Sequence, residues 1–428
     1  MLLSLPAPSR FRWWIVLLLF VITVFNYIDR SAIAYAVPAI SAQFHLAPSA
    51  MGVILGAFGL GYFVTTLIGG VAIDRWGTRI VLLIAALVWS IAIGSTAFAV
   101  GSLSLLAARA GLGLAEGPNF SAMSKALAEW LPARERATAM ACVLVAVPAA
   151  LALGGPLLTA ILGVAGWRLM FGILSLLVLV WIPFWLWLFR DSPAASPYVN
   201  AAEGRVISGN DTAKRTPDHA FRWRDIGLVL ANRTLAANTF AFFVFGYSLF
   251  FFMNWLPTFL ENHYHLSIHN VGLFSFLPWS FAAVLLFACG PFSDFLLRKT
   301  GSLRIARSYL LIISQLGAAL AVIPVVLSGN STVAILFISL AVGLNMSTNA
   351  VYFAAGVDVA RRQAGTALGI MDAGLAVAAF VAPSLTGYVV SLTGSFSAAF
   401  WLLGALSLSS AIIVAVFHRP DTDRLAEV

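Results

Sequence analysis

An all-α membrane fold, with twelve transmembrane helices in two six-helix halves, is predicted by three observations. The chain is 61% hydrophobic and only 10% charged, and its mean hydropathy is +0.94. Soluble domains carry roughly 45–50% apolar and about 25% charged residues, so too few charges exist here to cover a water-facing surface. Apolar runs long enough to cross a bilayer recur at near-regular spacing, and short motifs of the first half return in the second at a near-constant offset.

The predicted spans cover 13–38, 50–73, 79–100, 102–128, 137–163 and 167–189, then 232–258, 268–296, 306–327, 331–356, 363–389 and 395–417. Segment 190–231 differs: Asp191, Glu203, Asp211, Lys214, Arg215, Arg222, Arg224 and Asp225 stand among Pro, Ser and Gly. It reads as a polar linker between an N-terminal half (1–189) and a C-terminal half (232–418), with a short tail at 419–428. Arg10 and Arg12 precede the first run as basic residues precede a cleaved leader. However, Asn26-Tyr27-Ile28-Asp29-Arg30 stands between that run and any small-residue cleavage site such as Ala34-Tyr35-Ala36, so the segment is kept as the first span.

Basic residues set the orientation. With the N-terminus inside, Arg168 is the only Lys or Arg in an outer loop, and Arg30 and Arg109 lie within spans. Removing these 3 from 25 leaves 22 at cytoplasmic segments or helix ends. Both termini are therefore expected in the cytoplasm, with the chain in a bacterial-type inner membrane. The net charge of +8 is a topology signal, and no nucleic-acid partner is expected. Cys142 and Cys289 sit in apolar runs and read as small core residues, with no disulfide or zinc spacing.

Gly70-x-x-x-Asp74-Arg75-x-Gly77-x-Arg79 follows the second span, and Gly290-x-x-x-Asp294 with Arg298 and Lys299 follows the eighth. Pro156 and Gly166 have counterparts in Pro383 and Gly394. The offsets are 220, 227 and 228 residues, the mark of a duplicated unit. Parallel repeats around a midplane binding site are a recurring transporter design. With its G-x-x-x-D-R-x-G-x-R motif between spans two and three, the chain resembles the major facilitator superfamily over nearly its whole length. Asp74, Arg75 and Arg79, with Asp294 in the second copy, are expected to pin cytoplasmic helix ends and gate the closed state rather than touch substrate.

A charge deep in a span costs at least about 2.5–3.5 kcal/mol, so each should be paired or functional. Five qualify: Asp29, Arg30, Arg109, Glu116 and Asp372. Arg109 and Glu116, seven residues apart, share a helix face. Counted from the outer helix ends, Arg109 lies at about 9 Å depth, Asp29 at about 15 Å and Glu116 at about 20 Å. Arg109 is thus expected to stabilise either carboxylate, and its withdrawal would favour proton uptake. A static network that only orders the bundle is the alternative. Arg30, about 100° around the helix from Asp29, is expected to face the cavity, where a guanidinium suits bidentate binding of a carboxylate or sulfonate. Asp372, about 15 Å from Arg362 along its helix, reads as a second proton site, as a partner for a cationic or hydroxyl group of the substrate, or as a buried neutral acid. Asn345, Asn349 and Tyr352 share a face, suited equally to interhelical bonding and to ligand contact.

Tyr27-x-Asp29-Arg30, taken with Arg109-x-x-x-Gly113-x-x-Glu116-Gly117-x-x-Phe120, resembles the anion:cation symporter family within that superfamily. Trp255-Leu256-Pro257 and Gly166-Trp167-Arg168 extend the match. Members import hexonates, hexuronates, phthalate-like acids and sulfonates with protons or other cations. The resemblance implies proton coupling by Asp29, Glu116 and Arg109, and cavity positions at Arg30, Tyr27 and Tyr62. It also implies a monomer embedded in the lipid bilayer that takes a small organic anion and protons. There are departures: Ser121 stands where proline usually follows the aromatic residue, Val145-Ala146-Val147-Pro148-Ala149 lacks the fifth-span glutamine of sugar-acid members, and Asp372 replaces a familiar asparagine. Fewer amides remain to read sugar hydroxyls, so a smaller or less hydroxylated anion is favoured over a sugar acid.

His263, His265 and His269 fall in an outer loop without a placed carboxylate and read as solvated, not metal-binding. The aromatic stretch Phe240–Trp255 reads as lipid-facing or packing surface, with Tyr247 able to reach the cavity. No Walker loop is present, and no cofactor is expected. An exporter or exchanger of metabolites or drugs is the closest competing reading. An intramembrane enzyme would need a catalytic set within the spans, and a sensing receptor would need an added signalling domain.

Overall fold

The computed structural model describes residues 8–208, 223–423 and 425; Asp211, Lys214, Arg215 and Arg222 of the linker lie outside them. In the first half, α1 (Arg12–Phe44), α2 (Pro48–Trp76) and α3 (Thr78–Ala97) are followed by a broken pair, α4 (Ser102–Glu116) and α5 (Asn119–Trp130). Then come α6 (Ala133–Leu144) and α7 (Ala146–Leu188). The linker contributes α8 (Ala201–Ser208) and α9 (Trp223–Ala231). The second half holds α10 (Arg233–Tyr264), α11 (Ile268–Thr300), α12 (Tyr309–Leu327), another broken pair in α13 (Ser331–Ser347) and α14 (Asn349–Ala360), then α15 (Ala364–Thr393) and α16 (Ser397–Phe417).

Among the described residues, ten helical stretches are long and apolar enough to cross a membrane. One of them, from 134 to 188, carries two spans, because Gly166 at φ 70°, ψ 170° turns the chain inside α7. A side chain would be strained at that positive φ. The fourth span is missing from the ten because it breaks at Gly117-Pro118, leaving pieces of 15 and 12 residues. Proline has no N–H to donate there. With these two adjustments the chain has the expected twelve spans. They run a few residues longer than the apolar runs alone suggest, as α1 and α2 show.

Local signals end the helices where the sequence allows. Asn232, Ser267 and Asn330 cap the starts of α10, α11 and α13 through their side-chain oxygens, each satisfying N–H groups that the helix leaves free. Gly77, at φ 83°, turns α2 into α3. The Asp191 carboxylate packs against that turn and accepts from the Arg79 backbone N–H at 2.8 Å.

The two halves pack most closely along two seams. In the first, α2 runs antiparallel to α15. A Cβ on Gly52 would stand 2.6 Å from the Pro383 carbonyl oxygen, and one on Gly56 would stand 2.7 Å from that of Phe380. In the second, Gly155 of α7 and Gly272 of α11 approach with similar closeness. Small residues let helix backbones touch where lipid supplies no hydrophobic drive. Both seams lie toward the end remote from the termini. Apolar side chains left exposed along the spans, such as Ile91, Val180, Leu320 and Ile412, form the outer surface that lipid would cover.

The face bearing the termini is pinned by ionic groups. Asp74 pairs with Lys125 at 2.8 Å, and Arg307 pairs with Asp294 and Asp358, each at 3.1 Å. Each of these contacts stays within one half. Arg75 lies over Trp76, and the Arg79 side chain donates to the Leu186 carbonyl oxygen at 2.6 Å. The linker is more than a polar spacer. Glu203 of α8 is completely buried and accepts from the Ser9 hydroxyl, the Phe11 and Arg12 backbone N–H groups, and the Arg12 guanidinium at 2.9 Å. Arg12 also reaches Glu135 at 2.8 Å, so one arginine ties α1, α6 and the linker together. Cys142 departs from expectation: it is exposed rather than part of the core, and Cys289 is half-buried. Cys142 lies on a face of α6 that no neighbouring helix covers.

Candidate functional site

The charged residues of the spans converge where α1, α2 and α4 meet, facing α15. Helix α2 brings Phe58 and Tyr62 onto one face by their four-residue spacing, and α1 brings Tyr27 and Arg30. The Arg30 guanidinium lies 4.9 Å from each of the ring centroids of Tyr27, Phe58 and Tyr62. Each such contact is worth about 0.5–2 kcal/mol, rising with desolvation. Its Nε donates to Glu116 Oε2 at 2.5 Å, with both residues buried. The same guanidinium also donates to the Tyr62 hydroxyl, so Glu116 and Tyr62 share the fork. Glu116 keeps Oε1 unbonded, with the Asn26 amide alongside.

Arg109 was expected to stabilise either carboxylate; it acts on Glu116 electrostatically, but the direct contact with Glu116 is made by Arg30. Arg109 is buried over the Phe58 ring at 5.3 Å, and its Nε has no partner among the described residues. Phe58 therefore contacts two guanidinium groups through its ring. Asp29 faces the other way, into the first half, where Oδ2 accepts from Trp89 Nε1 at 2.9 Å. It still interacts electrostatically with Glu116. Neither Phe58 nor Trp89 was singled out from sequence. Each sits in an apolar run where an aromatic residue ordinarily signals packing, although the Phe58-x-x-x-Tyr62 spacing on a glycine-rich helix offered a cue.

The second half contributes less than expected. Tyr352 is fully buried, its hydroxyl accepts from Gln315 Nε2 at 2.8 Å, and its ring packs on Phe242 and Phe245. It belongs to the core of that half rather than to the cavity wall. The tenth span breaks at Thr348, so Asn345 and Asn349 do not share one continuous helical face. Asn345 donates to the Phe245 carbonyl oxygen at 3.1 Å, while Asn349 is half-buried and unbonded among the described residues. Tyr247 is buried, with its hydroxyl beside Thr386 of α15. Asp372 is half-buried on α15 and forms no ion pair or hydrogen bond among the described residues. It interacts electrostatically with Tyr27 and Tyr62, the two tyrosines of the Arg30 cage. Toward the termini, Phe120 of α5 and Phe353 of α14 stack across the halves at 6.5 Å. No cluster of three or more metal-ligating side chains occurs among the described residues.

Chemically, the site offers one guanidinium held by a carboxylate and a tyrosine hydroxyl, and a second carboxylate, Asp372 of the other half, that acts on the same tyrosines. That set can bind and release an anion, and it holds no nucleophile–base pair for bond cleavage. Known proteins with similar sequences point the same way. The chain is 30% identical to a hexuronate transporter of Bacillus subtilis over 415 residues, covering 96% of each chain. It is 31% identical to a probable sulfoacetate transporter of Cupriavidus necator, covering 92% of this chain and 90% of that one. In fold it is similar to the crystal structure of a D-xylose-proton symporter, with TM-score 0.74 at 18% identity over 96% and 99% of the two chains. Residues 19–360 match the family described as the Major Facilitator Superfamily. Twelve spans, two seams and that match over most of the chain establish that it is a membrane transporter and belongs to the Major Facilitator Superfamily.

Proposed function

We propose that this chain imports a small organic anion, a carboxylate or a sulfonate, together with protons. It does so by rocking its two halves, 1–189 and 232–418, about the central cavity. It works as a monomer in a bacterial-type plasma membrane, with both termini in the cytoplasm, as the concentration of Lys and Arg on the terminal face supports. The observation that carries this reading is the caged Arg30, whose guanidinium fork is shared between Glu116 and the Tyr62 hydroxyl. A planar anion meeting that fork competes with Glu116 for the same guanidinium. A buried carboxylate that loses its cationic partner takes up a proton more readily, so anion arrival and protonation are linked through one arginine. The relatives named for hexuronate and sulfoacetate transport support the anion class.

The test is uptake into proteoliposomes with an imposed pH gradient, using hexuronates, short carboxylates and sulfonates. Wild type should accumulate one of these classes uphill. Asp29→Asn and Glu116→Gln should abolish uphill accumulation while leaving exchange measurable. Full uphill uptake in both variants would remove the coupling role. Arg30→Lys keeps the charge but loses the planar fork, and unchanged affinity in that variant would remove the anion-binding role.

A further inference from the structure

The α2–α15 seam fixes where Asp372 sits. Gly52 meets Pro383, Gly56 meets Phe380, and Gly59 meets Ala376 and Ala379. Each step forward on α2 is thus a step of the same size back on α15. Continuing by four residues brings Phe63, and Tyr62 beside it, level with Asp372. On the other side of α15, Met371 accepts from the Asn238 amide and Leu375 packs against Gly246. The face of 376, 380, 383 and 384 is therefore the one turned toward α2, and Asp372 lies on its edge, between that face and the one packed on α10. There it stands at the level where the packed glycines give way to the aromatic cage. It faces the cavity that Arg30 faces, shares Tyr62 with it as a neighbour, and yet forms no ion pair with it.

From this juxtaposition we propose that Asp372 is a second substrate contact that sets charge selectivity. The cavity takes an acid whose far end carries a hydrogen-bond donor, an ammonium or a hydroxyl group, and it discriminates against acids with a second anionic end. The inference rests on the proposed function, since it takes Arg30 as the subsite for the acidic head. A carboxylate of an aspartate accepts hydrogen bonds and does not donate them, so the complementary group must be a donor. Burial strengthens both the attraction to a cation and the repulsion of a second anion. Discrimination then comes as much from the mismatched end as from the matched one. An asparagine at this position would accept and donate equally and would tolerate either end.

The experiment is thermal stabilisation of the purified full chain by two matched sets of probes. The first holds 2-aminoethanesulfonate, 2-hydroxyethanesulfonate and sulfoacetate; the second holds 4-aminobutanoate, 4-hydroxybutanoate and succinate. Wild type should bind the amino- and hydroxy-ended members at least about tenfold more tightly than the member with a second acid, the scale of one charge-assisted hydrogen bond. Asp372→Asn should bring the members of each set to within a few-fold of one another while still binding them. Tightest binding of the diacids by wild type overturns the inference, as does the same ranking in both proteins, and either result leaves the anion-binding reading intact. Failure of all six probes to stabilise wild type, in a protein that is stabilised by cationic or neutral solutes, overturns that reading and this inference together.

Discussion

The α2–α15 seam gives the sharpest handle on conformational change. A Cβ at Gly59 would lie 2.6 Å from the Ala379 carbonyl carbon and 3.0 Å from the Ala376 carbonyl oxygen. These are backbone atoms that cannot rotate away as a side chain would. Overpacking of this kind costs about 1–3 kcal/mol. Because α2 and α15 belong to different halves, that cost falls on the state in which the end remote from the termini is closed, and hardly on the folding of either half. A bias of about 1–3 kcal/mol corresponds to roughly a 5- to 150-fold shift between two states. Gly59→Ala should therefore open the remote end. Spin labels on Ala47→Cys and Leu392→Cys, in a background with Cys142 and Cys289 replaced, report the separation by pulsed electron resonance. The expected result is a new, longer distance population in Gly59→Ala, together with slower uptake. Gly113→Ala is the control, since its Cβ would lie 2.8 Å from the Tyr62 backbone nitrogen, within one half. It should lower the melting temperature and leave the distance distribution unchanged. An unaltered distribution in well-folded Gly59→Ala would refute the claim that this seam holds the remote end shut.

Three further outcomes follow from the contacts. Tyr352→Phe removes the acceptor for Gln315 and should cost about 1–2 kcal/mol of stability, with substrate affinity unchanged; a large affinity loss would return Tyr352 to the cavity. Glu203→Gln weakens the tie between α1, α6 and the linker and should cost about 2–4 kcal/mol, because it leaves the buried Arg12 guanidinium with Glu135 alone; melting in detergent measures it. His418, just beyond α16, is buried with its ring nitrogen 2.7 Å from the Ser308 hydroxyl. Burial holds its pKa down to about 4, against the opposing pull of Asp423. The unfolded chain, with histidine near its usual value of about 6.5, then binds more protons than the folded one between that value and about 4. Stability should fall as pH drops through this window, and His418→Gln should flatten that part of the pH–melting curve.

Apolar run length made the twelve spans legible, because in lipid every backbone polar group must be satisfied within the helix and side-chain hydropathy alone marks the segment. The breaks were less legible. Gly117-Pro118 carried a readable signal, whereas Thr348 interrupts the tenth span with no residue that forbids helix. The charged residues were found because charge is conspicuous in an apolar background, but their pairing was not. Depth along a helix follows from counting, while rotation about it depends on how helices pack, and that rotation decided that Glu116 meets Arg30 rather than Arg109. Glu203 was hidden for the opposite reason. In a polar segment an acid looks solvated, and only the folding of α8 against the start of α1 buries it.

One helix carries both parts of the proposed cycle. On α2, Gly52, Gly56 and Gly59 form the seam with α15, while Phe58 and Tyr62 form the Arg30 cage, and Gly113 of α4 packs against the Phe58–Tyr62 backbone. The seam and the cage cannot move independently, because less than two helical turns separate them and a helix is stiff at that length. A ligand bridging Arg30 and Asp372 would join α1 and α2 to α15 at the end of the seam nearest the cavity. It would then bind the closed-seam state more tightly than one in which α15 has swung away. A ligand shifts an equilibrium only by such a difference in affinity. The proposed coupling therefore needs no long-range relay: substrate, Glu116 and the seam all act on the same three turns of α2.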